Sequence, residues 1–380
     1  MTPRSTPLEA EHRALGATLT AFGGWLMPLR YTSDLAEHRA VRVAAGMFDL
    51  SHMGEIHLEG PGAAAALDHA LVGSASAITP GRARYSMFCA EDGSVLDDLI
   101  VYRLAEQHFL VVANAGNAGL VARELAARAE GFDVAVDDRS LATALVAVQG
   151  PRAEEIVADL VAPADADAVR ALPYYAAIPV TLQVGEGIDT LVARTGYTGE
   201  DGFELFGDVA DAVPLWRGLL AAGGPRGLVP AGLAARDSLR LEAGMPLYGH
   251  ELDTTTTPYE AGLGRVVRLD KVDADGSPVP FVGRAALAAR KTSPPSRVLV
   301  GLRGESRRSA RAGYDVITPT GATVGTVTSA APSPTLGHPI AMAYVTPEVS
   351  GEGTRLAVDV RGRAEPFVVV PLPFYRRPAV

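Results

Sequence analysis

Cysteine is almost absent from this chain of 380 residues: Cys89 stands alone. That excludes an intrachain disulfide and any zinc or iron–sulfur centre built on cysteines, and it fits a reducing compartment. Lysine is nearly as scarce, since 32 of the 34 basic residues are arginine and only Lys271 and Lys291 are lysine. This bias belongs to genome composition, but it leaves few candidates for Schiff-base chemistry. No apolar run approaches the ~20 residues needed to span a bilayer, and the opening MTPRSTPLEAEHRAL has no apolar core of signal-peptide type. A cytoplasmic protein without a membrane partner is expected. Positive charge is outweighed by 44 acidic residues, giving a formal charge of −10 that opposes nonspecific attraction to nucleic acid. Also missing are the GxGxxG and GxxxxGK patterns of dinucleotide and nucleoside triphosphate sites. Eight histidines are scattered, and the nearest pair, His52 and His57, lacks the i, i+4 spacing and intervening glutamate of a zinc helix, so no metal centre is expected.

What is present suffices for a large core. With 48% hydrophobic and 21% charged residues the chain should fold into two or three domains. Residues 34–46 read as a helix closed by Gly46, and 144–149 (ALVAVQ) as a buried strand stopped by Gly150 and Pro151. Pro151 then suits the first turn of a helix running to about Val161. Residues 178–184 and 188–195 around GEG read as a β-hairpin. Strands and helices are interspersed without βαβ alternation, which makes the first 285 or so residues an α+β region. The polar, proline-containing KTSPPS (291–296) marks a boundary. Beyond it VLVGL, YDVIT, TVGTVTSA, AMAYV, RLAVDV and PFVVVPL are short strand-like runs, expected to form a small antiparallel barrel or sandwich. The domains are therefore set at 1–285 and 292–380.

Three constellations carry possible chemistry. In GSVLDDLIV (93–101) two carboxylates interrupt an apolar β-like run. Neighbours on a strand face opposite sides, so Asp97 and Asp98 cannot both enter one pocket. Spacing alone favours an ordinary turn or strand-end pair, yet a carboxylate between Leu96 and Leu99 requires a donor or ligand nearby. The second constellation starts from TGYTGEDGFEL (195–205), whose glycines suggest a shaped loop. Glu204 follows this loop, and Arg236 and Arg240 lie four apart on a helix beginning after Pro230. A carboxylate accepting and a guanidinium donating paired hydrogen bonds suit a planar heterocycle; a structural Glu–Arg ion pair is the equal alternative. The third is aromatic: Trp25, Tyr31, Tyr85, Tyr174, Tyr175, Tyr197 and Tyr248 could stack on a flat ligand, though ordinary packing is the commoner role.

Seven blocks, FGGWLMPLRY (22–31), EHRAVRVAAGMFDLSHMGEI (37–56), GSVLDDLIVY (93–102), ALVAVQGP (144–151), ARTGYTGEDGFEL (193–205), GLAARDSLRLEAGMPLYGHELD (232–253) and GTVTSAAPSPTLGHPIAMAYV (325–345), resemble the T-protein family of the glycine cleavage system, the aminomethyltransferases. The resemblance runs in order along the whole chain. It implies three domains around a central folate cavity, the first two discontinuous and the last an antiparallel β-barrel. It implies transfer of a methylene carbon from the aminomethyl-lipoyl arm of H-protein to tetrahydrofolate, the co-substrate, with release of ammonia. Asp98 matches the family's catalytic carboxylate, with Asp97 its structural neighbour. Glu204 and Arg236 match the pterin-binding glutamate and folate-binding arginine, and Tyr375 is the aromatic near the C-terminus that completes the folate contacts. Met53, Tyr85 and Tyr197 are candidates for the pocket wall. A monomer is expected, with Arg303, Arg307, Arg308 and Arg311 as a basic patch that could steer an acidic partner. The competing expectations are a folate-dependent demethylase of a methylated small molecule and a non-catalytic folate-binding or tRNA-modification relative. Retention of Asp98, Glu204 and Arg236 together favours the transferase.

Overall fold

The computed structural model describes residues 2–273 and 275–378. Its largest sheet has six strands in the order Ala177–Leu182, Ile188–Ala193, Gly202–Asp208, Thr143–Gln149, Ala45–Asp49 and Leu228–Pro230. All neighbours are antiparallel except the last pair. The predicted ALVAVQ strand lies inside this sheet because it is apolar on both faces and buried throughout. Val146 and Val148 pack toward Ile156, Val169, Leu215 and Trp216 of the covering helices. Leu145 and Ala147 point the other way. The expected hairpin forms from Ala177–Leu182 and Ile188–Ala193.

Two expected helices are shorter than their sequence signals. The first spans Asp34–Val43, and Gly46 lies within strand Ala45–Asp49. Ala44 leaves helical geometry at φ −142°, and a Cβ at position 46 would sit 2.4 Å from Val41 Cγ2. Gly46 is thus a close-approach residue, and the helix ends before it. The second spans only Ala153–Ala158, with Pro151 in the preceding turn.

A second sheet of five antiparallel strands runs in the order Arg82–Cys89, Val95–Ala105, His108–Ala113, Gly54–Glu59 and Ala135–Asp138. It is inserted between strands of the first: the chain leaves that sheet after Asp49 and returns at Thr143. Leu99, Val101, Phe109 and Val111 pack against Leu67, Val121 and Leu125 of helices Ala63–Ala70 and Ala118–Arg128. The opposite face turns Tyr102, Leu110 and Val112 onto Leu145, Ala147 and Phe206 of the first sheet. Polar residues on these two facing surfaces therefore look into a shared interior.

All six strand-like runs beyond Ser296 form strands, and they close into an antiparallel barrel: Val298–Gly304, Pro339–Val345, Thr323–Pro332, Asp315–Ile317, Arg355–Asp359 and Ala364–Val370. Alternation fills it with Leu302, Val316, Ala343, Val358 and Phe367. Helix Arg284–Lys291 precedes the barrel and buries Leu287 with Val72, Met87 and Cys89. Among the described residues no helix is long and apolar enough to cross a membrane.

Candidate active site

Strand Val95–Ala105 separates the two aspartates as its alternation requires. Asp97 is fully buried and accepts from Asn114 N at 3.0 Å, Asn114 Nδ2 at 2.9 Å and Asn117 Nδ2 at 2.8 Å. Asp98 shares its face with Ile100 and Tyr102 and accepts from Tyr85 Oη at 3.0 Å and Asn114 Nδ2 at 2.9 Å. One amide, Asn114, thus ties both carboxylates. Burial pushes Asp98 up to about 6 against the lowering effect of the Tyr85 and Asn114 donors. Burial and the adjacent Asp98 charge push Asp97 up to about 7, against its asparagine donors.

Glu204 rises from the first sheet. It is paired in register with Ala147 and Ala193, both on the surface facing the second sheet. Its Oε2 accepts from Tyr102 Oη at 3.3 Å, across the sheet interface, and from Thr195 Oγ1. The glycine-rich loop before it is shaped around one side chain: Gln149 Nε2 donates to Thr195 O at 3.0 Å and its Oε1 accepts from Thr198 Oγ1 at 3.1 Å. A Cβ at Gly196 would lie 2.0 Å from Gln149 Oε1, and one at Gly202 2.4 Å from its Cδ. These two glycines serve close packing, and unusual backbone angles are confined to Gly199, at φ +80°.

Arg236 and Arg240 lie on one helix, Leu233–Glu242, but in different surroundings. Arg240 is saturated, donating to Asp237 at 2.8 Å, Glu251 at 2.9 Å and Ser329 at 2.7 Å. Arg236 has no side-chain hydrogen bond or ion pair among the described residues. Its guanidinium lies 4.8 Å from the centroid of the Tyr197 ring, and burial pulls its pKa down although Glu204 is near enough to oppose this. Glu204 Oε1 likewise has no partner among the described residues, so the two do not form the structural ion pair that was the alternative reading.

Asp98, Tyr85, Tyr197 and Arg236 lie deep in the molecule yet keep accessible surface, which places them on the wall of an internal hollow. The charges of Asp98 and Arg236 both reach Tyr197, and those of Glu204 and Asp98 both reach Tyr175. Tyr175 is held at φ +59°, a strained conformation for a bulky residue. A cleft of about 340 Å³ is lined in part by Tyr85 and Tyr175. Met53 is partly buried against the inter-sheet cluster that includes Tyr102 and Ala235.

Tyr375 sits apart from these groups. Its ring stacks 4.0 Å from the Arg42 guanidinium, and its backbone N–H donates to Glu242 O at 2.8 Å. No contact among the described residues joins it to Asp98, Glu204 or Arg236. Residues not foreseen from sequence are Asn114, Tyr102 and Thr195. Asn114 follows the run HFLVVA directly, a polar residue at a strand end, which is the signal that could have found it. In the basic patch Arg303, Arg307, Arg308 and Arg311 are all exposed, and Arg308 pairs with Glu365 at 3.1 Å.

Two family profiles cover this architecture: the GCVT N-terminal domain matches residues 8–271 and the glycine cleavage T-protein C-terminal barrel domain matches 297–376. The chain belongs to the glycine cleavage T-protein family, the aminomethyltransferases. It is 57% identical to an aminomethyltransferase of Saccharopolyspora erythraea, over 99% of each chain. It is 59% identical to that of Streptomyces avermitilis, over 99% of this chain and 98% of the other. The crystal structure of the glycine cleavage system aminomethyltransferase T from Bartonella henselae superposes with a TM-score of 0.87 at 37% identity, covering 98% of both chains.

Proposed function

We infer that this protein takes the aminomethyl group carried on the lipoyl arm of H-protein and transfers its carbon to tetrahydrofolate in the cytoplasm, releasing ammonia. The observation that carries the reading is the unpartnered pair at the hollow: Glu204 offers a free Oε1 while its Oε2 is held by Tyr102 and Thr195, and Arg236 offers a full set of donors. Both groups lie deep in the molecule and keep only part of their access to water, and a charge-assisted hydrogen bond in such a place is worth on the order of 1–3 kcal/mol, so a ligand that completes them is favoured. A pterin fits, because its edge carries adjacent N–H donors for a carboxylate and a carbonyl acceptor for a guanidinium. The aromatic rings of Tyr197 and Tyr85 suit its flat faces.

In this reading Glu204 and Arg236 fix the ring, and Asp98 faces the nitrogen that attacks. The substrate carbon lies between sulfur and nitrogen; loss of ammonia from the protonated amine breaks the carbon–nitrogen bond and leaves a sulfur-bound electrophilic methylene that one folate nitrogen captures. The second folate nitrogen then closes on that carbon, breaking the carbon–sulfur bond, and the protons released from the two nitrogens leave methylenetetrahydrofolate and the dihydrolipoyl thiol. Asp98, ionised above pH of about 6, stabilises the positive charge developing on that nitrogen. Asn114 and Tyr85 hold the carboxylate in place through both oxygens. Met53 contributes to the wall, and Tyr375 acts from outside, through Arg42, on the loop that carries Tyr197. The folate-binding region is residues 1–285, and the barrel is 292–380.

The test is ammonia release from aminomethylated H-protein with and without tetrahydrofolate. Folate-stimulated release with methylenetetrahydrofolate formed is expected. Folate binding without that reaction would move the assignment to a demethylase or a non-catalytic relative.

A further inference from the structure

Away from the hollow, the second sheet brings a histidine of one strand against two side chains of its neighbour. His57 and Glu59 share one face of strand Gly54–Glu59, two positions apart, and Glu59 is the register partner of His108 on the adjacent strand. His57 Nδ1 lies 2.8 Å from His108 Nε2, and His108 Nε2 lies 3.3 Å from Glu59 Oε1. All the ligand atoms of the three fall within 4.8 Å of one another. We propose that His57, Glu59 and His108 form a binding site for a divalent transition cation of borderline softness, Zn²⁺ being the fitting case.

The chemistry of the set supports this. Two neutral imidazoles and one carboxylate are a common zinc donor set. Ligands about 2.0–2.1 Å from a tetrahedral ion stand roughly 3.3 Å from each other, so the His108–Glu59 edge already has that length and the two rings need to part by about half an ångström. The existing contacts are mutually frustrated. His108 Nε2 faces both a ring nitrogen and a carboxylate oxygen, and a single N–H cannot serve both well. A cation removes the conflict by accepting from all three atoms, each ring keeping its one proton on the nitrogen turned away. The donors sit on paired strands and so are preorganised, yet they remain reachable, His108 being 29% and Glu59 46% exposed.

Arg139 is the built-in competitor. It donates to Glu59 Oε1 at 3.1 Å and to Asp137 at 2.7 Å, and Asp137 is the register partner of His57. Removing its charge should strengthen cation binding, which a plain hydrogen-bonded surface cluster would not foresee.

The experiment is a titration of the metal-stripped full-length protein with Zn²⁺ against a chromogenic zinc chelator, together with thermal melts. Wild type should bind one equivalent at micromolar zinc and melt higher with it. His57→Ala and His108→Ala should lose that equivalent and the shift in melting. Glu59→Gln should weaken binding roughly tenfold, and Arg139→Ala should tighten it about fivefold, the scale of one exposed charge contact. Glu59→Gln and Arg139→Ala alter exposed groups, so they keep the test open if a histidine variant misfolds. No stoichiometric zinc in wild type, or zinc binding untouched by these four substitutions, overturns the site. None of the four residues lies in the folate hollow, so the result is independent of turnover.

Discussion

Helix Leu233–Glu242 ends in a carboxylate and carries a guanidinium near its start, and the protein treats the two in opposite ways. Glu242 accepts from Arg42 at 2.7 Å, Thr335 Oγ1 at 2.7 Å, Thr335 N at 3.1 Å and Ser333, and faces His38 Nε2 at 3.2 Å. Arg42 in turn donates to Glu200 and to Thr198 O, both at 2.8 Å. Every charge in this cluster is answered from within the chain. Arg236, two turns earlier, and Glu204, its neighbour, are left with groups unanswered. The same two residue types thus make a scaffold where they are saturated and leave donors and acceptors open where they are not. Identity and burial do not separate these cases; the accounting of donors and acceptors does.

The largest effect expected from breaking the contrast lies on the scaffold side. Arg42→Met strands the buried carboxylates of Glu200 and Glu242 and should cost about 3–5 kcal/mol of stability, read from the urea midpoint. Arg236→Met strands no partner and should leave the midpoint within about 0.5 kcal/mol of wild type or raise it. If both variants fall equally, the distinction between the clusters fails. Burial alone would raise the Glu242 carboxyl, but hydrogen bonds from His38, Ser333 and Thr335 hold it down at about 2. Its stabilising contribution is therefore present above pH of about 4.5 and is lost as pH falls toward 2.

Next in size is Asp98→Asn, expected to keep folate binding, measured calorimetrically, while turnover falls ~10²–10³-fold. Because the acid form of Asp98 is favoured up to pH of about 6, wild-type turnover at saturating folate should rise through that pH and level off above it. An acid limb near pH 4, or normal turnover in the variant, would remove Asp98 from the chemistry. A smaller change is expected from Glu204→Gln, a loss of about 10–100-fold in folate affinity with turnover of the bound complex little altered. The smallest belongs to the surface. Reversing the charge of Arg303, Arg307 and Arg311 should weaken apparent H-protein affinity a few-fold at low salt and not at all at about 1 M salt. Salt-independent affinity in wild type would retire that patch.

How much of this was legible in the sequence depends on the distance over which each feature is decided. The barrel strands are short, apolar and bounded by turn residues, and all of them could be read locally. The opposite facing of Asp97 and Asp98 follows from the pleat alone. The end of helix Asp34–Val43 could not be read, because Gly46 is demanded by contact with Val41 and by strands about 100 and 180 residues away. The glycine loop is legible only in part: Gly199 takes the positive φ that glycine's freedom allows, whereas Gly196 and Gly202 make room for Gln149, which comes from another strand. Asn114 escaped notice because a bridging amide is defined only when two strands pair, and the separation of Arg236 from Arg240 depends on Glu251 and Ser329, which no helical spacing reveals.

The cluster at Glu242 also bears on how the chain can be cut. Ser333 and Thr335 reach it from the barrel, and Tyr375, beyond the last barrel strand, lies on Arg42 and donates its backbone N–H to Glu242 O. A truncation in the linker at 291–296 would thus take away the hydroxyls that quiet a buried carboxylate and the aromatic cover of the arginine that holds the loop carrying Tyr197. The barrel works as a buttress, and the remaining fragment should be an unstable protein with a slack loop in place of a smaller transferase.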